Sequence, residues 1–306
     1  MTQSRPEARR EHLDALAVTL LVVCCAIWGV TQVAAKLTLH DVPPLLQAAL
    51  RSLGAAVLLL AWSRRRGLNV MAADGTGRAG LLAGTLFAAE FACIFIGLQY
   101  TSASRMAVFI YLAPFIVALG MPLIARHERL HAMQASGLLL AFGGVVWAFA
   151  EGFTQATAGP RQLLGDALGI AAAVLWALTT LTLRGSRLAT ALPEKSLLYQ
   201  LAVSGAALLL ASVLTGEAWP RSIGAAAAAA LAFQIVVVTF ASYLTWFWLI
   251  RHYPTTRVSA FTLLTPVFGL LAGVLLLGEP LTARLLVALG AVCVGIALVN
   301  RPPRPA

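Results

Sequence analysis

Two side chains stand where charge is expensive. Arg51 lies inside the apolar run 43–62, and Glu90 lies inside the apolar run 79–100. If these runs cross a bilayer, a charge near the centre costs about 2.5–3.5 kcal/mol, so it is kept for a partner or for a task. Arg51 is eight residues into its run, roughly 12 Å deep at about 1.5 Å of rise per residue. Glu90 is ten residues before the outer end of its run, roughly 15 Å deep on the same rise. Matching depths allow an Arg51–Glu90 ion pair that locks two helices together. They also allow one or both groups to line a cavity and hold a polar solute, or the two not to meet at all.

Aromatic, hydroxyl and amide side chains recur at mid-run elsewhere. Trp28, Thr31 and Gln32 fall in the first run, and Phe87, Phe91 and Phe95 repeat every four residues on one face of the third. Phe109 and Tyr111 open the fourth run, and Trp176, Thr179 and Thr180 occupy the sixth. Tyr243, Trp246 and Phe247 lie in the eighth, and Phe261, Thr262 and Thr265 in the ninth. Together they could form an amphipathic cavity, with rings for an apolar group and hydroxyls or an amide for polar ends. Pro114 and Pro266 interrupt the fourth and ninth runs, freeing the carbonyls of Ile110 and Thr262 and making each position a candidate hinge or gate. Covalent chemistry is not indicated. The five histidines sit near the ends of runs, and there is no HExxH, Ser-His-Asp or Walker pattern. The four cysteines lie within apolar runs without metal-ligand spacing. We therefore expect no catalytic residue, no metal and no cofactor.

The elements that carry these residues follow from composition. Of 306 residues, 60% are hydrophobic and 11% charged, against about 45–50% and about 25% in soluble domains. An all-α polytopic membrane protein is expected, with ten spans at about 15–37, 43–62, 79–100, 104–125, 131–150, 163–183, 195–215, 227–250, 257–277 and 281–299. The net charge of +10 sits in short clusters between runs, such as Arg64-Arg65-Arg66, which fits anchoring to an anionic bilayer and not nucleic acid. With the N-terminus inside, 16 of the 22 Lys and Arg residues fall on inner segments and 5 on outer ones, so both termini are expected in the cytoplasm of a plasma or bacterial-type inner membrane.

The chain also repeats itself. Arg105 precedes Pro114 by nine residues, and Arg257 precedes Pro266 by nine. Glu128 follows the first proline by 14 and Glu279 the second by 13. Asp14-Ala15-Leu16 returns as Asp166-Ala167-Leu168, and Trp28 is answered approximately by Trp176. Five spans per copy is odd, so the second copy enters the membrane from the opposite side and the repeat is inverted around a central cavity. The expected organisation is an N-terminal tail 1–14, repeat one 15–150, an outer linker 151–162, repeat two 163–299 and a tail 300–306. Matching Gly54 to Gly205 puts Ala202 opposite Arg51, and matching Arg105 to Arg257 puts Ser242 opposite Glu90. The two charges are thus single-copy departures from a symmetric scaffold.

The repeated Arg–Pro–Glu pattern resembles the drug/metabolite transporter superfamily, in its ten-helix branch with two EamA-type repeats, over about 15–299. The resemblance implies a basket-like bundle that exports small metabolites, and the branch it suggests is that of amino-acid exporters, including aromatic ones. The expected partners are a small-molecule substrate and the lipid bilayer, with a second copy of the chain allowed. Two other readings stay open. One is a proton-coupled drug or cation exporter using Glu90; the other is a lipid enzyme built on Glu128, His127 and His131.

Overall fold

The computed structural model describes residues 12–39, 41–97, 100–101, 103–125, 130–148, 150, 161–277 and 283–301. The motif residues Glu128 and Glu279, His127, and most of the linker and both tails lie outside them, as does the side chain of Gln32. The described residues are helical, without strands. In chain order they form α1 (Ala15–Leu39), α2 (Pro44–Arg65), α3 (Gly77–Gly97), α4 (Ala103–Ile110), α5 (Ala113–Ile124) and α6 (Ala132–Ala148). The second half forms α7 (Gln162–Gly185), α8 (Pro193–Leu214), α9 (Ala225–His252), α10 (Thr255–Phe261), α11 (Thr265–Leu277) and α12 (Ala283–Asn300). Among these, α2, α3, α7, α8 and α9 are each long and apolar enough to cross a membrane unaided. Leu119, Leu123, Leu163 and Leu275 are exposed on the flanks, where lipid and not water is the compatible solvent.

The packing has the symmetry of an inverted repeat. Helix α2 lies on α8 and α6 on α12, each helix against its own repeat mate. The α3–α7 contact is matched by α9–α1, and α5–α7 by α11–α1. Glycines permit these approaches. A Cβ on Gly84 would meet Val203 Cβ at 2.6 Å and Tyr199 O at 2.8 Å, and one on Gly137 would meet Gly295 O at 2.6 Å. Gly143, by contrast, has nothing within 4 Å of its would-be Cβ. Gly295→Ala is therefore expected to lower the melting temperature of the detergent-purified protein. Overpacking costs about 1–3 kcal/mol, which outweighs the helix propensity of at most about 1 kcal/mol that alanine adds. Gly143→Ala, where only the propensity term acts, should leave that temperature unchanged or higher.

The α-helical hydrogen bonding of the fourth and ninth spans is interrupted, while the backbone there stays in the right-handed helical region. A turn at 111–112 separates α4 from α5, and a 3-10 turn, Thr262–Leu264, separates α10 from α11. Pro114 and Pro266 each take the second position of the restarting helix, where the missing N–H is tolerated. The two breaks coincide when one repeat is shifted by 152 residues onto the other. Helix α9 widens to a π-helix over Gln234–Ser242, a local form frequent at functional sites.

Cross-helix bonds fix the ends. On the face that carries Asp14 (the N face), Lys195 is 2% exposed and donates to Ala72 O at 2.6 Å and to Asp74 at 2.7 Å. The Lys195 ammonium, with help from the Thr76 hydroxyl, holds the Asp74 carboxyl well below the usual carboxylate range. A lowered folded-state value stabilises above the unfolded value, near 3.9, and is lost as pH falls through the folded one. The loss of melting temperature in Asp74→Asn should accordingly be the same at pH 7 and pH 5.5, and should shrink below about pH 4. On the far face, Glu217 accepts from Leu45 N and Leu46 N, both at 2.9 Å, capping the positive end of α2.

Candidate functional site

Arg51 and Glu90 are both buried, 6% and 7% exposed. They lie within electrostatic range of each other, yet no ion pair within 4 Å joins them. The direct ion pair that the sequence allowed is not made. Arg51 instead lays its guanidinium 4.3 Å over the Phe91 ring and donates from Nη2 to Tyr243 Oη at 3.2 Å. Its Nε, and Oε2 of Glu90, are buried without hydrogen-bond partners. Glu90 is seven residues from the end of α3, about 10 Å below the far face. Arg51, in the eighth position of α2, is at a similar depth.

The aromatic candidates assemble around this pair. Phe87 packs edge-on to Phe91 with centroids 4.9 Å apart and to Tyr243 at 6.2 Å. Trp28 packs edge-on to Trp246 at 5.3 Å and to Tyr243 at 6.1 Å. Trp28 Nε1 donates to Ser242 Oγ at 2.8 Å, so the serine at the position matching Glu90 orients a tryptophan. A second group forms where Tyr111 meets Trp176 at 6.2 Å and approaches Thr265. Tyr111 is also in electrostatic range of Tyr243, so the two groups adjoin. Thr180 is less available, because its hydroxyl donates to Trp176 O. Thr265 Oγ1 is buried and unpartnered, as are Gln47 Oε1, Gln200 Nε2 and Thr239 Oγ1. Interiors normally pair more than about 90% of such groups. A separate cleft lined by Leu183, Pro193, Phe247 and Arg251 has a volume of about 20 Å³, room for about one water, and holds none of these residues.

Two clusters go beyond what the sequence brought together. On the far face Asp166 accepts from Thr101 Oγ1 at 2.6 Å and from Arg105 Nε at 3.1 Å and Nη2 at 2.5 Å. On the N face Asp14 accepts from Tyr253 Oη at 3.0 Å and caps α1 through Ala17 N at 2.8 Å, while Arg257 reaches His12. Asp14, Thr101 and Arg105 become Asp166, Tyr253 and Arg257 on shifting by 152 residues. The two clusters are therefore repeat images of one latch, one at each face. In each, the start of a first helix in one repeat is tied to the start of the broken span in the other. The signal is present in the sequence, since both motifs recur at one offset. A polar network of Gln47, Gln234 and Thr38 has no such signal; Gln47 Nε2 donates to Gln234 Oε1 at 3.0 Å and Gln234 Nε2 to Thr38 Oγ1 at 2.8 Å.

An inverted-repeat helical bundle with single-copy charges and rings where its halves meet is an architecture that membrane transporters use. The chain belongs to the EamA-like transporter family, whose profile matches residues 15–150 and 163–301. It is a membrane transporter and not an enzyme. Relatives match along most of their length. An uncharacterized transporter of Bacillus subtilis, YvbV, is 28% identical over 94% of this chain and 91% of its own. A probable amino-acid metabolite efflux pump of Escherichia coli is 27% identical over 92% of each, and one of Salmonella typhimurium is 28% identical over 87% of each. A solved crystal structure, 19% identical, aligns with a TM-score of 0.80 over 94% of this chain and 96% of its own, which shows the fold.

Proposed function

We propose that this protein exports amino acids or closely related small metabolites across the inner (plasma) membrane by alternating access, with both termini in the cytoplasm. The observation that carries this reading is the near full-length likeness to proteins named as probable amino-acid metabolite efflux pumps. The buried polar atoms set among aromatic rings support it, because they suit a solute with one apolar and one charged end. The repeat-related latches support alternating access. In this reading the N-face latch opens toward the cytoplasm, where positive charge is concentrated, and the far-face latch opens to the outside.

Counterflow in proteoliposomes tests the function. Vesicles are loaded with unlabelled amino acid, and labelled threonine, methionine or phenylalanine is followed inward, with and without a pH gradient. Saturable accumulation of any of the three is the expected result. Silence for all three turns the assignment to the second reading, a proton-coupled drug or cation exporter. Glu90 favours that reading as a buried carboxylate without an ion pair within 4 Å. It predicts pH-gradient-driven uptake of a lipophilic cation, abolished in Glu90→Gln.

A further inference from the structure

We propose that Arg51 and Glu90 read the two charged ends of one zwitterionic α-amino acid, with the carboxylate on Arg51, the ammonium on Glu90 and an apolar or aromatic side chain among the neighbouring rings. This rests on the amino-acid reading above and names how the site recognises that class. A buried charge without an ionic partner is costly to keep. Here a guanidinium and a carboxyl group are kept at one level, in electrostatic range and without an ion pair between them. A ligand that bridges them needs a gap wider than a direct pair, because a charge-assisted bond of about 2.7–2.9 Å is added at each end. Arg51 is already oriented for this. Phe91 fixes the plane of its guanidinium and Tyr243 takes one edge, and Nε is left for a carboxylate oxygen. Glu90 leaves Oε2 for an ammonium proton. The edge-to-face packing of Phe87, Phe91, Tyr243 and Trp28 offers an apolar wall beside both. The repeat mates of the two charges, Ala202 and Ser242, bear no charge, so the site presents one plus and one minus end and fixes the ligand in a single orientation.

The test separates head-group reading from general damage. Labelled phenylalanine counterflow is competed with phenylalanine, with phenylalaninamide, which is only a cation, and with N-acetylphenylalanine, which is only an anion. In the wild type the zwitterion competes and the two analogues do not. Arg51→Gln weakens phenylalanine by about ten- to hundredfold, the loss expected of a hydrogen bond to a charged group, and leaves the amide competing as well as phenylalanine. Glu90→Gln gives the mirror result, with the N-acetyl analogue competing as well as phenylalanine. Arg51→Lys restores part of the discrimination. The assignment is overturned if the wild type accumulates phenylalanine but all three compounds compete equally. It is also overturned if both variants, intact by gel filtration, weaken all three alike; the export reading then stands. Should either variant fail to fold, thermal shift of the wild type decides. Stabilisation by phenylalanine alone supports the assignment, and equal shifts by all three compounds sink it. No accumulation of any amino acid removes the export reading, and this assignment with it.

Discussion

Asp166→Asn and Asp14→Asn should push the protein in opposite directions. Asp166 holds Thr101 and Arg105 on the far face, and its side chain and that of Arg105 are 9% and 14% exposed. Screening is thus weaker than for a surface pair, and the hydrogen bonds carry charge. Losing the charge costs the closed far face about 1.5 kcal/mol or more, which shifts its population about tenfold toward opening. Asp14→Asn removes the charge and one of the two oxygens that accept from Tyr253 on the N face and lowers far-face opening, since a transporter that opens to one side more often opens to the other less. The readout is maleimide labelling of Phe95→Cys, near the far end of α3, in a background with Cys24, Cys25, Cys93 and Cys293 replaced by alanine. Labelling rises in one variant and falls in the other. A change of the same sign in both would mean that the clusters only hold the fold together.

Closing the two helix breaks should slow transport while raising stability. Proline in a helix interior costs about 3 kcal/mol, from the missing N–H and the clash with the preceding turn. At Pro114 and Pro266 that cost is only partly relieved, by a tighter turn that interrupts the α-helical hydrogen bonds. In Pro114→Ala and Pro266→Ala the backbone can donate again, to Ile110 O and Thr262 O, and the spans can run straight. If each break is a hinge used in the cycle, straightening disfavours the bent states, and exchange falls about ten- to hundredfold, within the bound set by that penalty. The melting temperature rises in the same variants. A higher melting temperature with unchanged exchange would assign the prolines to folding alone. The two breaks are repeat mates, so the single variants should slow opposite half-cycles and the double variant both.

Much of this architecture is legible in the order of residues along the chain. The apolar runs, the charge asymmetry and the odd number of spans per repeat specify an inverted bundle, because a bilayer admits few ways to satisfy a backbone. Observed helix ends differ from expectation by only a few residues, as with α3 at Gly77–Gly97 against 79–100. Arg51 and Glu90 are visible as charges out of place, and the spacing of Phe87 and Phe91 announces a shared face. Less legible is who meets whom. Periodicity says which residues share a helix face, but not which helix that face meets. Arg51 can be placed level with Glu90, yet its choice of Phe91 and Tyr243 depends on how α3 and α9 approach α2.

The chain alone determined that the protein is a two-repeat membrane bundle, which residues are duplicated and which occur once. These are properties of composition and of one-dimensional order, and solvent and backbone chemistry act on them directly. Only the tertiary structure decided that Asp166 and Arg105 join across repeats, that Asp14 takes Tyr253, that a tighter turn interrupts the helical hydrogen bonds at the prolines, and that Arg51 and Glu90 share a site without an ion pair. Each of these depends on close packing between helices far apart in sequence, where differences of an ångström separate an ion pair from a gap.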